Sequence, residues 1–504
     1  MIKAVVFDLD GTLLNTIEDI TDALNFALRN AKLKLHTSDE VKYFVGSGVK
    51  ELIKRALGEE EDKFNEVYKD YMDYYAKRSR IKTKPYPNII KMLKRLKAQN
   101  YKLAVLSNKP HSDTIEVINY YFPNIFDFVL GHKDSFKIKP AIDGILEVEK
   151  TLGVTNTEIA YIGDSDVDNM LANNANVTFI ASLWGYRKKA EIGKSRNYAN
   201  NADDVLEIIA KLNNRFISGI IALDKRSGIT SQDAINEVKH ALIGQGYYIS
   251  KIGHAGTLDP LASGLLLVLL NSSTKLSDIL INSNKEYLAT IILGKHTMEL
   301  DITGSVTSER EVNATESQID EVLASFIGKS NQLPPIFSAI KKDGKKMYEY
   351  ARNGEEVEVL PREIEIFDIK KVSHLEENEF SIITKVSKGT YIRSLARDIG
   401  ERLNTYGIIK DLRRLSTHDI SVSDAYTIED IKNGNFTCLR DIDCIDLPKF
   451  ELNDIQFKAT QNGQDIMLHL DYPEIVLTYK GEISALYNLN NGVYKAKRVW
   501  KSII

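Results

Sequence analysis

The chain has 504 residues, of which 43% are hydrophobic and 27% are charged, and its formal net charge is −4 at pH 7. This length exceeds what one hydrophobic core can organise and predicts about two to four domains. The slightly negative charge excludes RNA binding through an overall positive field, so any such binding would depend on local basic patches.

Other classes of protein are also disfavoured. The two cysteines, Cys438 and Cys444, indicate neither a disulfide framework nor a cysteine metal site. No apolar run approaches the roughly 18 residues of a transmembrane helix. The first residues run directly into an apolar strand without a signal-peptide pattern. We therefore expect a cytoplasmic protein with no membrane partner and no obligate protein partner.

Residues 1–214 alternate short apolar strands with amphipathic helices, which is typical of a parallel α/β sheet covered by helices on both faces. Helical spacing occurs in Pro87–Gln99 and Ile142–Leu152. The predicted strands are Ala4–Phe7, Lys102–Leu106, Phe126–Leu130, Ile159–Ile162 and Val177–Ala181. A charged helical insertion at about 16–80 is expected to cap the carboxyl ends of these strands, where ligands bind in open α/β sheets.

From residue 215 the pattern changes to an α+β domain with a mixed or antiparallel sheet, predicted over 215–430. Its expected strands are Ile217–Leu223, Lys285–Leu293, Glu363–Val372 and Phe380–Val386, and its expected helices are Ser231–Leu242, Glu316–Phe326, Met347–Asn353 and Ile392–Leu403. Short alternating runs punctuated by Gly463, Gly481 and Gly492 predict a small β-barrel-like domain at 446–504.

The first chemical motif is AVVFDLDGTLL at residues 4–14, in which Asp8 and Asp10 follow an apolar strand. Gly11 permits a sharp turn that brings backbone N–H groups towards a phosphate. One carboxylate can attack phosphorus while the other protonates the leaving oxygen and later activates water. This chemistry requires Mg²⁺, which prefers oxygen ligands, and a cation that balances the phosphoryl charge.

Later strands are followed by the remaining groups: Ser107–Asn108 after KLAVL, Lys139 in FKIKPA, and GDSDVD at 163–168. Over about residues 1–210 the chain thus resembles the haloacid dehalogenase (HAD) superfamily. The segments GSGVKELIKRAL, GHKDSFKIKP and LWGYR resemble its phosphoglycolate phosphatase branch.

The resemblance implies a role for each of these residues. Asp8 would be the nucleophile and Asp10 the general acid and base, with Lys139 stabilising charge. The implied phosphate-binding residues are Thr12, Ser107 and Asn108, the implied Mg²⁺ ligands are Asp8, Asp10 and Asp164, and Asp168 would support Lys139 or the metal shell. Phosphoglycolate is the leading substrate among small phosphorylated metabolites, while pyrophosphate, nucleoside monophosphates and a modified-RNA phosphate stay open.

The second motif, IGHAGTLDPLASGLLL at 252–267, contains one acid, Asp259, and no metal-ligand cluster or catalytic triad. Further segments cover nearly all of 216–425: LDKRSGITSQDAI, NKEYLATIILG, QLPPIFSAIKKDGKKMYEYARNG, KGTYIRSLARDIG and DLRRLS. Together they resemble the TruB family of tRNA pseudouridine synthases, which isomerise uridine 55 in the TΨC arm of tRNA without a cofactor.

By this resemblance, Asp259 attacks or stabilises the reacting nucleotide, and whether it attacks the ribose or the base stays open. Arg393 would pair with Asp259 and keep it ionised. The target base must flip out of its loop. His254 would fill the space that it leaves, Tyr287 would stack on it and is a candidate for proton transfer at C5, and Leu412 would close the pocket floor.

Both halves depart from their families at a few positions. Asn176 and His418 stand where glycine is usual, and asparagine is among the residues that tolerate a left-handed backbone. The other departures are Asn15 for aspartate, Ile142 for the second proline of KPxP, Arg226 for the proline after Lys225, and Glu299 in a threonine-rich stretch. None of them removes a catalytic group.

The final block resembles a PUA-type RNA-binding domain, and its KAKRVWK segment would suit phosphate contacts. The alternative is a terminal β module that only packs on the core. Candidate basic patches are Lys341, Lys342, Lys345 and Lys346; Lys410, Arg413 and Arg414; and Lys495, Lys497, Arg498 and Lys501. A solvated surface is the simpler explanation of any one of them.

The chain is therefore predicted to be a bifunctional enzyme that joins a phosphatase to a tRNA pseudouridine synthase. Three alternatives remain: an HAD domain that regulates without turnover, a C-terminal half that serves as a tRNA-binding chaperone, and two adjacent genes that were joined during annotation.

Overall fold

The structure, a computed structural model, describes residues 1–337, 341–342, 345–346 and 359–500. Over the described residues the chain divides into two compact units, Met1–Phe216 and Ile217–Trp500. The predicted helix Met347–Asn353 lies outside the described residues, as do Lys501 and the side chains of Lys341, Lys342, Lys345 and Lys346. In the part of the chain that is described, no helix has the length and apolar character needed to cross a membrane.

The N-terminal unit is built on a six-stranded sheet, as its strand pattern predicts. The sheet order is β5-β4-β1-β6-β7-β8, and every neighbouring pair is parallel. The strands of the whole unit, of which β2 and β3 form a separate pair, are β1 (Ala4–Phe7), β2 (Leu14–Asn15), β3 (Lys84–Pro85), β4 (Lys102–Pro110), β5 (Phe128–His132), β6 (Ile159–Gly163), β7 (Thr178–Ser182) and β8 (Asn197–Ala199). All four residues of the central strand β1 are buried, because helices cover both faces of the sheet.

Ten helices are described in this unit. They are α1 (Ile17–Asn30), α2 (Ser38–Phe44), α3 (Val49–Leu57), α4 (Phe64–Arg78), α5 (Ile89–Ala98), α6 (His111–Tyr121), α7 (Asp143–Leu152), α8 (Asp166–Asn174), α9 (Lys189–Ile192) and α10 (Ala202–Leu212). Helices α1–α4 form the predicted cap and bury their own apolar cluster, which includes Leu24, Ile53 and Tyr71. The short pair β2–β3 connects this cap to the core.

The C-terminal unit contains a nine-stranded mixed sheet, also as expected. Its path is β10-β11-β20-β12-β19-β18-β15, with β9 on β11 and β21 on β20. The strands of the unit before its terminal part are β9 (Gly219–Lys225), β10 (Ile252–Ala255), β11 (Ser263–Leu270), β12 (Lys285–Leu293), β13 (Lys295–Thr297), β14 (Val306–Glu309), β15 (Gly328–Gln332), β16 (Lys341–Lys342), β17 (Lys345–Lys346), β18 (Arg362–Lys371), β19 (Glu379–Val386), β20 (Gly407–Thr417) and β21 (Ile420–Ser421). The pair β11–β20 is parallel, and β12 is antiparallel to both of its neighbours.

Helices cover this sheet and several begin at a side-chain cap. They are α11 (Ser231–Gly244), α12 (Ser277–Ile281), α13 (Glu316–Ala324), α14 (Ile392–Arg402) and α15 (Ile428–Lys432). Thr230, Thr315 and Thr427 each accept a backbone N–H of the first turn and complete a capping box, which satisfies N–H groups that a helix leaves unpaired.

The terminal block forms a four-stranded sheet rather than the predicted barrel. It consists of β22 (Lys449–Glu451), β23 (Glu474–Tyr479), β24 (Glu482–Asn490) and β25 (Val493–Val499), with helix α16 (Asp454–Gln461). The sheet order β22-β23-β24-β25 has two edges, so within residues 446–500 the strands do not close on themselves.

Two family departures have a clear backbone explanation. Asn176 has φ 52° and His418 has φ 56°, so both stand in the left-handed region where glycine is normally favoured. Asparagine and histidine are among the residues enriched there.

Candidate functional sites

The nucleophile candidate Asp8 directly follows β1 and lies in a buried network of charged and hydroxyl groups. Its Oδ1 accepts a hydrogen bond of 2.6 Å from Lys139 Nζ. The same ammonium donates to Asp168 Oδ1 at 2.8 Å and to Tyr161 Oη at 3.0 Å. Burial alone would lower the pKa of Lys139, but Asp168 and Asp8 raise it well above its ordinary value. Lys139 therefore carries a positive charge beside the Asp8 carboxylate.

Asp168 holds this lysine in place from the first turn of α8. Its Oδ2 accepts the Ser165 hydroxyl at 2.6 Å and the Ser165 N–H at 3.2 Å, while the Ser165 hydroxyl accepts the Asp168 N–H. The Tyr161 hydroxyl donates to Asp168 Oδ1 at 3.0 Å. These groups use both oxygens of Asp168, so its main role in the site is to hold the ammonium of Lys139 in place.

Asp164 stands at the end of β6 between two glycines that leave no room for a side chain. A Cβ on Gly11 would lie 2.4 Å from Asp164 Oδ2, and one on Gly185 would lie 2.3 Å from Asp164 Cβ. The carboxylate accepts the Tyr186 N–H at 2.6 Å and the Thr12 hydroxyl at 3.3 Å. Burial, reinforced by repulsion from Asp168, raises the pKa of Asp164 to about 7.

These acids fit a divalent cation. Asp8, Asp164 and Asp168 each offer a carboxylate oxygen, and the three oxygens lie within 4.8 Å of one another in a buried position. Mg²⁺ prefers such oxygen ligands, and a cation would relieve the burial and repulsion that raise the pKa of Asp164. Asp168 accepts hydrogen bonds from Lys139, Tyr161 and Ser165, which is more than Asp8 or Asp164 accepts, so Asp8 and Asp164 are better placed to bind a cation.

Asp10, expected among the metal ligands, is placed differently from the other acids. Its Oδ1 accepts the Thr16 hydroxyl at 2.7 Å, and the ammonium of Lys109 lies 3.4 and 3.5 Å from its two oxygens. Its carboxylate is therefore turned towards the cap side of the site, and the group of acids close enough to share an ion contains Asp168 instead.

Two of the expected phosphate-binding residues, Ser107 and Asn108, line a cavity of about 60 Å³ beneath the cap, whereas Thr12 is fully buried and is not part of its lining. Ser107 Oγ accepts the Lys109 N–H at 3.2 Å. Asn108 donates from its amide to the carbonyls of Gly46 in the cap and Lys139 in the core, at 2.9 and 3.2 Å. Asn108 is therefore tied to both walls of the cavity.

Sequence reasoning missed three contributors to this site. Lys109 contacts Asp10, Tyr161 contacts Lys139, and Tyr186 contacts Asp164 through its backbone. Lys109 could have been found, because it directly follows the two polar residues that end a predicted strand. Tyr186 lies in the LWGYR segment, but that resemblance gave it no role, and Tyr161 carries no signal because an aromatic residue in a strand is usually only packed.

The second site is a loop between β10 and β11 that carries Asp259. The hydroxyl of Ser231, at the start of α11, accepts the N–H of Leu258 at 2.8 Å and donates to its carbonyl at 2.9 Å. The Gly228 N–H donates to the Pro260 carbonyl at 2.8 Å. The segment that joins β9 to α11 thus fixes the backbone on either side of Asp259.

Arg393 is the charge partner of Asp259, as the family resemblance implies. Its Nε lies 2.8 Å from Asp259 Oδ2, and its two terminal nitrogens donate to the carbonyls of Glu299 and Phe337 at 2.9 and 3.0 Å. The arginine side chain is buried, whereas that of Asp259 keeps 39% of its surface exposed. Arg393 is therefore a fixed, buried cation, and Asp259 is the solvent-accessible member of the pair.

Tyr287 and Leu412 belong to the central strands and share one apolar cluster. Tyr287 on β12 stands opposite Arg414, and Leu412 on β20 stands opposite Ala289. His254 lies on β10, where burial and the nearby charge of Arg414 lower its pKa. Its Nδ1 is buried and has no hydrogen-bond partner among the described residues.

Three buried cations lie beneath this site and bond to backbone carbonyls. Arg414, fully buried, donates to Leu265 and Gly256 at 2.6 and 2.9 Å. Lys225 donates to the carbonyls of Arg226 and Ile229, and Lys285 donates to those of Ile281 and Ser283. Burial lowers the pKa of each lysine to about 8.

Two of the proposed basic patches are largely occupied by internal partners. Lys410 pairs with Glu379, and Arg413 forms two bonds to Asp224 at 3.0 and 2.7 Å, while Arg414 is the buried residue just described. In the terminal patch, Lys497 pairs with Glu474, and Arg498 contacts Asp278 and the Lys275 carbonyl. These contacts favour the alternative that the terminal sheet packs on the rest of its unit.

Family comparisons match each unit separately. Residues 5–182 match the model of the haloacid dehalogenase-like hydrolases, and residues 245–392 match the N-terminal domain of the TruB family of pseudouridylate synthases. Proteins called tRNA pseudouridine synthase B are among the relatives. One from Psychrobacter cryohalolentis is 38% identical over 255 residues, covering 49% of this chain and 71% of that protein.

A second such relative, from Mesoplasma florum, is 37% identical over 286 residues, covering 56% of this chain and 97% of that protein. The solved structure of a provisionally named phosphoglycolate phosphatase from Lactobacillus delbrueckii is 34% identical, with a TM-score of 0.40, and covers 41% of this chain and 98% of that one.

Fold, sites and relatives define an enzyme with two catalytic parts, a hydrolase and an isomerase. The chain belongs to the TruB family of pseudouridylate synthases, and its first unit is a haloacid dehalogenase-like hydrolase domain. Both family resemblances found in the sequence are confirmed.

Proposed function

We propose that the C-terminal unit isomerises uridine 55 in the TΨC arm of tRNA. The observation that carries this proposal is the 2.8 Å ion pair between Arg393 and Asp259 in the GHAGTLDP loop. The relatives named tRNA pseudouridine synthase B support it. A tRNA substrate also agrees with a cytoplasmic location.

The reaction breaks the bond between N1 of the base and the ribose, turns the base, and forms a bond between C5 and the same ribose carbon. C5 loses a proton and N1 gains one, so the product is an isomer of the substrate. Asp259 supplies the negative charge that attacks or stabilises the reacting nucleotide, and Arg393 keeps that carboxylate ionised and oriented. His254 occupies the space that the flipped base leaves, Tyr287 stacks on the flipped base, and Leu412 closes the pocket. The C5 proton must leave to solvent or a nearby base, for which Tyr287 is the candidate.

We further propose that the N-terminal unit is a phosphatase for small phosphorylated metabolites, phosphoglycolate first among them. Asp8 attacks phosphorus and forms an aspartyl-phosphate, while Asp10 protonates the leaving oxygen and then activates the water that releases phosphate. Lys139 stabilises the charge, and Thr12, Ser107 and Asn108 hold the phosphoryl oxygens. Mg²⁺, held by Asp8 and Asp164, would balance the phosphate charge.

The first experiment uses the full chain and an unmodified tRNA transcript, with pseudouridine mapped by carbodiimide-primer extension. We expect a stop at position 55 that Asp259→Ala abolishes and that Asp419→Ala, a change of a fully exposed acid, leaves intact. Retained tRNA binding without any pseudouridine would instead support the chaperone alternative.

The second experiment measures Mg²⁺-dependent release of phosphate. We expect Asp8→Asn to abolish it, and the exposed control Asp62→Asn to leave it unchanged. No release from any small phosphate ester would support the alternative of a regulatory HAD domain without turnover.

A further inference from the structure

Lys109 is a buried cation that none of the proposed steps uses. It lies near the end of β4, two residues after Ser107, and only 7% of it is exposed. It lines the cavity that also contains Asp8, Asp10 and Lys139. A lysine ammonium is rarely buried this fully without a close partner of opposite charge.

The partners of Lys109 compensate its charge only in part. Its ammonium donates to the hydroxyl of Tyr75 in the cap at 2.7 Å and lies 4.6 Å from the centre of that ring. The oxygens of Asp10 are further away, at 3.4 and 3.5 Å, and one of them already accepts the Thr16 hydroxyl. The two contacts to Asp10 are long and share one carboxylate, so the ammonium can accommodate a closer acceptor from a ligand in the cavity.

The two other cations of the cavity wall are committed elsewhere. Lys139 contacts Asp8 and Asp168 at 2.6 and 2.8 Å. Arg187 donates to cap carbonyls, including that of Val45 at 3.0 Å. Among the cations that line this cavity, Lys139 is thus held by two close carboxylates and Arg187 by cap carbonyls, whereas the carboxylate contacts of Lys109 are the longer ones to Asp10.

We propose that Lys109 binds a negative charge on the leaving group, so that the phosphatase prefers small substrates whose leaving group is itself an anion, either a carboxylate or a second phosphate. This inference rests on the proposed phosphatase function. Asp10, the proposed proton donor to the leaving oxygen, is the neighbour of Lys109, which places the ammonium on the leaving-group side of the phosphorus.

The rest of the wall supports this assignment. On the cap side the cavity is lined by apolar residues such as Ile20, Val49 and Leu52, which carry no charge, and Arg187 already donates to a cap carbonyl. A charge-assisted hydrogen bond in such a place is expected to raise kcat/KM about 10- to 100-fold.

The test compares three substrates on the full chain with Mg²⁺: 2-phosphoglycolate, inorganic pyrophosphate and ethyl phosphate, whose leaving group is uncharged. We expect at least one anionic substrate to exceed ethyl phosphate about 10-fold or more in kcat/KM. Lys109→Met should reduce that ratio towards one, and Lys109→Gln, which keeps a donor but no charge, should do the same. Lys91→Met, on the exposed face of α5, should leave the ratio unchanged.

The two anionic substrates distinguish a carboxylate from a phosphate as the preferred group. Equal use of ethyl phosphate, or an equal loss for all three substrates in both Lys109 variants, would overturn the role of Lys109 while leaving the phosphatase function in place. Absence of hydrolysis of all three would instead overturn the phosphatase function itself. Tyr75→Phe, which removes a hydrogen bond but no charge, should retain the preference.

Discussion

The guanidinium of Arg187, in the core of the N-terminal unit, donates a hydrogen bond of 3.0 Å to the backbone carbonyl of Val45 in the cap. It also contacts the carbonyls of Lys42 and Tyr43. The preceding residue, Tyr186, donates its N–H to Asp164 at 2.6 Å. One short loop thus joins a proposed metal ligand to the part of the cap that covers the cavity.

Removing this connection should affect substrate binding more than the chemical step. We expect Arg187→Ala to raise KM for the phosphatase substrate about 10-fold, because the loss of hydrogen bonds of roughly 1 kcal/mol each favours an open cap. Steady-state kinetics with separate kcat and KM values measure the effect. Arg196→Ala, an exposed arginine of the same unit, is the control. A fall in kcat with an unchanged KM would contradict a role in cap closure.

Substitution of Arg393 should stop pseudouridine formation without preventing tRNA binding. We expect Arg393→Met to lower the single-turnover rate more than about 100-fold, since Asp259 then loses the cation that orients it. Arg393→Lys keeps the charge but cannot reach Asp259 and two carbonyls at once, so it should recover little. Filter binding and rapid-quench assays of the same variants separate the two effects, with Arg402→Met as control. Equal losses of affinity and rate would indicate a binding role instead.

Lys285 predicts a pH dependence of stability. Burial, with repulsion from Arg414, lowers its pKa from 10.5 to about 8 in the folded chain. Between these values the unfolded chain holds a proton that the folded chain has released, so stability rises with pH in this window. Between pH 7 and pH 9.5 we expect the free energy of unfolding of the wild type to rise by about 2 kcal/mol relative to that of Lys285→Met.

The two tryptophans make this measurement specific to one unit. Trp184 belongs to the first unit and Trp500 to the second, so denaturant unfolding followed by fluorescence in a Trp184→Phe background reports on the second alone. A pH-independent difference between the two proteins would mean that Lys285 does not titrate in this range.

The contacts of Arg498 predict that it anchors the terminal sheet. Arg498→Ala removes the bonds to Asp278 and to the Lys275 carbonyl, which should cost about 1 kcal/mol given their partial exposure. Limited proteolysis should then cleave residues 446–500 sooner, whereas Lys495→Ala, on the exposed side of β25, should not change the rate. If RNA phosphates are the main partner of Arg498, the variant would lose tRNA affinity with no change in proteolysis.

Much of the first site was predictable because a parallel sheet brings the ends of its strands together. The order of Asp8, Ser107, Lys139 and Asp164 after successive predicted strands sufficed to place them in one site. The direction of a carboxylate is a matter of local packing, and the sequence did not indicate that Asp10 faces Thr16 and Lys109 rather than the other acids.

In the second unit, the burial of side chains on strand β20 could not be predicted from the sequence. Lys410, Arg413 and Arg414 look like one basic patch, yet Arg414 is fully buried. The pairing of β20 with β12 skips Lys410 and Leu415, so two irregularities interrupt the alternation of inward and outward side chains. Simple period-two reasoning cannot locate such bulges, and the burial of an arginine among apolar neighbours follows from them.

The division of the chain at Phe216 and Ile217 has a genetic consequence. Each unit has its own hydrophobic core, and each contains all the residues of its proposed site. An allele that unfolds one unit should therefore leave the other functional. Two such alleles, defective in different units and expressed in the same cell, should complement each other even though they are changes in a single reading frame.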